Sequence, residues 1–124
     1  MSKRILVIDD DPYIRELYQE ILTKEGYIID AAVDGEEGLA KLQQGGYDLI
    51  LLDKVMPKLD GKEVLEALAK NPQKQKNGPL ILLTNANPEK GEESNPQVTQ
   101  YLVKVDLTPQ ELITEVKKTL GDGD

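Results

Sequence analysis

The sequence predicts an α/β fold built on a doubly wound, five-stranded parallel sheet, and three observations predict it. Five short runs rich in Ile, Leu and Val are spread along the 124 residues, as expected of strands covered on both faces. Segments with apolar residues at helical spacing stand between most of those runs. Strand and helix therefore alternate, which requires right-handed crossovers and helices on both faces of the sheet.

Ile5 to Ile8 is the first strand. Ile14, Leu17, Tyr18, Ile21 and Leu22 follow at helical spacing, opposed by Arg15, Glu16, Gln19, Glu20 and Lys24, and Gly26 ends that helix. Asp11, directly before Pro12, is placed to cap its start. Tyr27 to Ala32 reads as a second strand, and Asp30 within it suggests a thinly covered edge. Asp34 and Glu37 have the spacing of a capping box, although that motif strictly begins with Ser or Thr. Leu39 and Leu42 give the next short helix its apolar side, and Gly45-Gly46 stops it.

Asp48 to Asp53 is a third buried strand that ends on an acid. Asp60 can cap a third helix, with Val64, Leu65 and Leu68 facing inward, until Asn71-Pro72 breaks it. Pro79 to Thr84 and Tyr101 to Val105 read as the fourth and fifth strands. The last helix has the clearest start signal: Thr108 as N-cap, Pro109 at the first helical position and Glu111 at the capping-box position. Leu112, Ile113, Val116 and Leu120 form its apolar stripe.

One interval breaks the rhythm. Between Thr84 and Tyr101 lies NANPEKGEESNPQVTQ, with Pro88, Gly91 and Pro96 and no large apolar residue before Val98. The helix expected there is predicted to be shortened or replaced by a loop with at most one helical turn. The strands should take the order 2-1-3-4-5, in a single domain over residues 1–120 with a frayed tail at 121–124.

Composition narrows the chemistry. The chain has no Cys and no His, which excludes zinc and thiol sites, disulfides and His-based triads. A net charge of −8 argues against direct binding to nucleic acid or an anionic membrane, since phosphate contacts need Lys and Arg clusters. Proteins and cations are the expected partners. The apolar run after Arg4 is too short for a signal-peptide core or a membrane span, so a cytoplasmic location is expected.

In such sheets ligands bind beyond the carboxyl ends of the strands, where the strand order reverses. Asp9-Asp10, Asp53, Thr84 and Lys104 stand at those ends. Three carboxylates so close together would raise one another's pKa unless a cation neutralised them. With oxygen donors only, the fitting ion is Mg²⁺ or Mn²⁺. An Asp can then act as a nucleophile and form an aspartyl-phosphate. Lys104 and the cation would neutralise the transferring group, and the Thr84 hydroxyl would donate a hydrogen bond to it.

The pieces ILVIDDDP, LILLDKVMPKLDG, ILLTN and YLVK, in this order on an alternating pattern, resemble the receiver domain of two-component response regulators over essentially the whole chain. The resemblance implies a flavodoxin-like fold and a phosphorylation switch, with at most slow self-catalysed phosphotransfer and dephosphorylation. It implies Asp53 as phosphoacceptor and Asp9 and Asp10 as the acid pair for Mg²⁺, with Asp10 the more direct ligand. The backbone carbonyl of Val55 would be a further ligand. Lys104 resembles the phosphoryl-pairing lysine, and Thr84 and Tyr101 resemble the switch pair. The implied partners are a histidine kinase or phosphotransfer protein and a downstream protein target, with output through the fifth strand and the last helix.

The sequence departs from that pattern at three places. Val105 follows Lys104 where the family usually has Pro, often after a cis bond; a cis bond before a non-proline residue costs roughly 2.5–4 kcal/mol, so a trans peptide and a shifted lysine are expected. Asn85 follows Thr84 in place of a small residue. The third departure is the interval without a full helix.

Blander readings fit single residues. An Asp at a strand end often caps the next helix, and this suits Asp11. It does not suit Asp9, Asp10 and Asp53 together, and the helix after Asp53 begins too late for that residue to be its cap. Tyr101 can be read as packing, Thr84 as a strand end and Lys104 as a surface lysine. A flavin carrier needs Ser, Thr or Gly donors where IDDDP stands, a P-loop lacks its upstream glycine, and no G-x-G-x-x-G follows a strand. A phosphohydrolase of the haloacid-dehalogenase type would need an Asp at position 55. The remaining alternative is a receiver-like protein-binding module that does not signal through phosphate.

Overall fold

The structure is a computed structural model that describes residues 2–70, 76–85 and 95–122. Five strands, β1 (Arg4–Ile8), β2 (Ile28–Ala32), β3 (Leu49–Asp53), β4 (Leu80–Thr84) and β5 (Gln100–Val103), form one parallel sheet in the order β2-β1-β3-β4-β5. Among the described residues there are four α-helices: α1 (Pro12–Lys24), α2 (Gly35–Gln44), α3 (Gly61–Lys70) and α4 (Pro109–Leu120). This is the expected flavodoxin-like, doubly wound arrangement. The expected loss of a helix between β4 and β5 falls largely on residues 86–94, outside the described residues; Pro96 and Gln97 form a turn.

Alternation within each strand divides the core in two. Ile5 and Val7 of β1 pack with Tyr18 and Leu22 of α1 and Leu112 and Val116 of α4. Leu6 and Ile8 face the other way, toward Leu42 of α2 and Val64 and Leu65 of α3. Every residue of β3 and β4 is buried, which explains why these strands read as unbroken apolar runs. Each fully buried Leu or Ile contributes roughly 1.5–3 kcal/mol.

Side-chain caps set the helix starts. The Asp11 carboxylate accepts from the Tyr13 and Ile14 N–H groups at 2.9 and 3.4 Å. Asp60 with Glu63, and Thr108 with Glu111, each exchange both bonds of a capping box. The pair at α2 does only half of this. Glu37 N–H donates to Asp34, but the Glu37 carboxylate accepts from Val33, one residue before the cap.

Strand ends differ from expectation at several points. β5 stops at Val103, and Lys104–Asp106 is a 3₁₀ turn closed by the Leu107 N–H donating to the Lys104 carbonyl at 3.1 Å. Val105, expected in the strand, is 78% exposed and has no place in the ladder. Tyr27 lies outside β2 because its N–H donates to Leu22, at the end of α1. Asp48 and Pro79 likewise lie just outside β3 and β4.

Asp30 sits on an edge strand, as read. Its carboxylate accepts from Lys41 Nζ at 2.8 Å, from the Tyr47 hydroxyl at 2.6 Å and from the Ala31 N–H at 2.9 Å. Lys41 Nζ also donates to the Ala31 carbonyl at 2.8 Å. Burial pushes the Asp30 carboxyl up, but the Lys41 and Tyr47 bonds outweigh it and hold the group below its ordinary value. Burial and Asp30 together push the Tyr47 phenol up to about 12.

Candidate functional site

The site lies at the carboxyl ends of β1, β3, β4 and β5. Asp9 extends β1 by one ladder bond, its N–H donating to the Ala32 carbonyl at 3.2 Å. Its side chain is fully buried. Oδ1 accepts from the Asp11 N–H at 3.0 Å, and Oδ2 accepts from Lys104 Nζ at 2.9 Å. Asp10 is half-buried and turns toward the same rim. Asp53, the last residue of β3, is buried. One carboxylate oxygen from each of Asp9, Asp10 and Asp53 lies within 4.8 Å of the other two.

Lys104 reaches this cluster from the turn after β5. Its Nζ stands 2.9 Å from Asp9 Oδ2 and 3.4 Å from Asp53 Oδ2, with 16% of the side chain exposed. The described residues contain no cis peptide bond, so Lys104-Val105 is trans, as expected. The expected shift does not carry the lysine away from the acids. Thr84 is buried at the end of β4, in register with Val103 beside Lys104. Tyr101 pairs with Leu82 and packs, half-buried, against the core beneath α2 and α3.

The electrostatics follow from this crowding. Burial, and then the Asp9 charge, push the Asp53 carboxyl up to about 7, against Lys104 and the Val55 N–H, which donates to Asp53 Oδ1 at 3.3 Å. Burial alone would lower the Lys104 ammonium, but its bonds and charge contacts with Asp9 and Asp53 win and raise it. Three carboxylates facing one ammonium leave two negative charges uncompensated. A divalent cation with a taste for oxygen donors matches that deficit, and half-buried Asp10 leaves the cluster open on one side.

The loop after Asp53 is held from two sides. The Gly61 N–H donates to the Lys54 carbonyl at 2.8 Å, and a Cβ on Gly61 would come within 2.8 Å of the Asp53 carbonyl oxygen. At the start of α2, a Cβ on Gly35 would come within 1.8 Å of the Leu59 carbonyl oxygen. Only glycine allows α2 to press on this loop, in which Lys58 takes a left-handed φ of 67°. The backbone of Val55 is thereby fixed near the acids, while its side chain faces solvent.

Two residues at the site are not singled out by the sequence. Arg15 reads as part of the solvated face of α1, yet its Nη1 donates to the Asp9 carbonyl at 2.8 Å. Tyr18 reads as core and is core, but burial and the Asp9 and Asp53 charges raise its phenol, with Lys104 opposing. Their positions depend on how α1 rotates over the sheet, which spacing alone does not give.

An all-acid cleft with one lysine, at the reversal point of a doubly wound sheet, defines a domain suited to phosphoryl chemistry. Residues 5–117 match the response regulator receiver domain, and the chain belongs to that family. It is 40% identical over 123 residues to the transcriptional regulatory protein ResD of Bacillus subtilis, a match covering 94% of this chain and 48% of ResD. It is 43% identical over 89 residues to the alkaline phosphatase synthesis transcriptional regulatory protein PhoP of the same organism, covering 72% of this chain and 36% of PhoP. The chain spans about half or less of the length of these relatives.

Solved structures agree. The response regulator TrrA of Thermotoga maritima, in complex with Mg²⁺-BeF, superposes with a TM-score of 0.77 at 43% identity, covering 94% of this chain and 98% of TrrA. TrrA in complex with the histidine kinase ThkA gives 0.75 at 45% identity, covering 95% and 98%.

Proposed function

We propose that the chain is a signalling switch that accepts a phosphoryl group on Asp53 from a histidine kinase or phosphotransfer protein, in a Mg²⁺-dependent reaction. The observation that supports it best is the convergence of Asp9, Asp10, Asp53 and Lys104 on one rim. Asp9 and Asp10 would hold the cation with Asp53 and the Val55 carbonyl; Mn²⁺ has the same oxygen preference. The bound cation supplies positive charge that keeps Asp53 ionised and offsets charge on the transferring group.

The chain's own residues do the rest. An Asp53 oxygen bonds to phosphorus as the bond from phosphorus to the donor nitrogen breaks, and the donor histidine lies outside these 124 residues, which contain none. Lys104 neutralises the arriving group, and the Thr84 hydroxyl donates to it. Tyr101, three residues before Lys104 on β5, would carry the change to the surface formed by β5 and α4, where a downstream protein binds. Val55 stands where an acid for rapid hydrolysis would be needed, so the phosphoryl group should be lost slowly, as suits a switch. The acidic surface favours protein over nucleic-acid contacts for this domain. No described helix is long and apolar enough to cross a membrane.

Incubation with acetyl phosphate and Mg²⁺, followed by intact mass, tests the reading. A phosphoryl adduct that disappears in Asp53→Asn supports it. No adduct, together with no Mg²⁺ binding, would instead favour a receiver-like protein-binding module.

A further inference from the structure

Asp9 is held at every polar atom, from three elements. Its N–H donates to β2, Oδ1 accepts from the backbone at the start of α1, and Oδ2 accepts from Lys104 after β5. The fourth atom, the carbonyl oxygen, accepts from Arg15 Nη1 at 2.8 Å. That carbonyl belongs to the peptide joining Asp9 to Asp10. Asp10 has no such framework of its own, so the orientation of this peptide sets the direction in which its carboxylate leaves the chain.

Arg15 reaches the peptide for a simple reason. Asp11 caps α1, and the Arg15 N–H makes an early helical bond, to the Asp11 carbonyl at 2.9 Å. Side chains on a helix lean toward its N-terminus, which brings the guanidinium back over the end of β1. Arg15 is half-buried, and its charge is partly screened by solvent.

We infer that Arg15 is a positioning residue for cation binding: by gripping the Asp9 carbonyl it fixes the Asp9-Asp10 peptide and aims Asp10 at the shared site. The inference rests on the Mg²⁺ reading above. Two effects of Arg15 oppose each other. Its positive charge repels a cation, whereas its hydrogen bond pre-orders a ligand. The bond is short and its acceptor lies next to the ligand in sequence, while the half-exposed guanidinium is partly hydrated and its repulsion weakens as salt is added. Positioning should therefore prevail, and losing a group that orients a metal ligand typically costs tenfold or more in affinity.

The test is a Mg²⁺ titration of the full chain followed by amide NMR shifts, at 0.1 and 0.5 M NaCl. The natural chain is compared with Arg15→Met, Arg15→Lys and Asp10→Ala, with urea unfolding as a check of folding and Arg15→Gln as a second neutral variant. The expected result is a dissociation constant raised roughly tenfold in Arg15→Met at both salt concentrations, with most of the loss recovered in Arg15→Lys. An unchanged or tighter constant in Arg15→Met, or no recovery with Lys, overturns the inference while Asp10→Ala still reports on the metal reading. Failure of the natural chain to bind Mg²⁺ overturns both.

Discussion

Asp9 and Lys104 pair at 2.9 Å although β3 and β4 lie between their strands in the sheet. At about 4.8 Å per strand, the lysine reaches the acids across two intervening strands. Removing it leaves two buried carboxylates facing each other. Lys104→Met should cost about 3 kcal/mol near pH 7.5, as expected when one partner of a buried pair is lost. The cost should shrink near pH 5, where Asp53 takes up a proton. Urea unfolding at the two pH values measures both.

Asp53 gives the domain a pH dependence of its own. The folded carboxyl, pushed up to about 7 from an ordinary 3.8, holds its proton more tightly than the unfolded chain does. Folding then favours the protonated form, so this group's contribution is complete below about 4 and is lost as pH rises through about 7. Asp53→Asn removes the ionisation. Its stability relative to the natural chain should rise between pH 4.5 and 7.5 in the absence of divalent cations; a constant difference would contradict the raised carboxyl.

Gly35 offers a steric test. The Leu59 carbonyl leaves no room for a Cβ, and the two nearest atoms, its oxygen and carbon, are backbone. Gly35→Ala should destabilise by roughly 1–3 kcal/mol, as overpacked cores do, and should shift the loop that carries Val55. Thermal unfolding reports the first effect, and amide shifts at residues 54–60 the second.

Asp11 separates stability from chemistry. Its side chain caps α1, while only its backbone N–H touches Asp9. Asp11→Ala should cost about 1 kcal/mol and leave the phosphoryl yield from acetyl phosphate unchanged by intact mass.

Most of the architecture was legible because strands buried on both faces leave unbroken apolar runs, and because Asp11, Asp60 and Thr108 mark helix starts in ways that do not depend on packing. The strand-end acids were legible for the same reason: a strand's end shows where its last side chain must point. Less was legible at Lys104. A run such as YLVKV continues an apolar pattern, and only the Leu107 N–H turning back to Lys104 shows that the ladder has already stopped. Arg15 and Gly35 were opaque because their importance lies in contacts between elements. Spacing tells which face of a helix is polar, not which backbone atom that face meets.

The network around Asp30 also bears on how molecules of this protein meet. The Ile28 N–H and the Ala32 carbonyl face β1, so by alternation the Ala31 backbone faces outward from the sheet. Both of its polar groups are already taken, the N–H by Asp30 and the carbonyl by Lys41. A stray β-strand arriving at this border finds no donor or acceptor at Ala31, and the side chains that block it are charged. The same residues that anchor α2 to β2 thus act as a barrier to strand addition at Ala31.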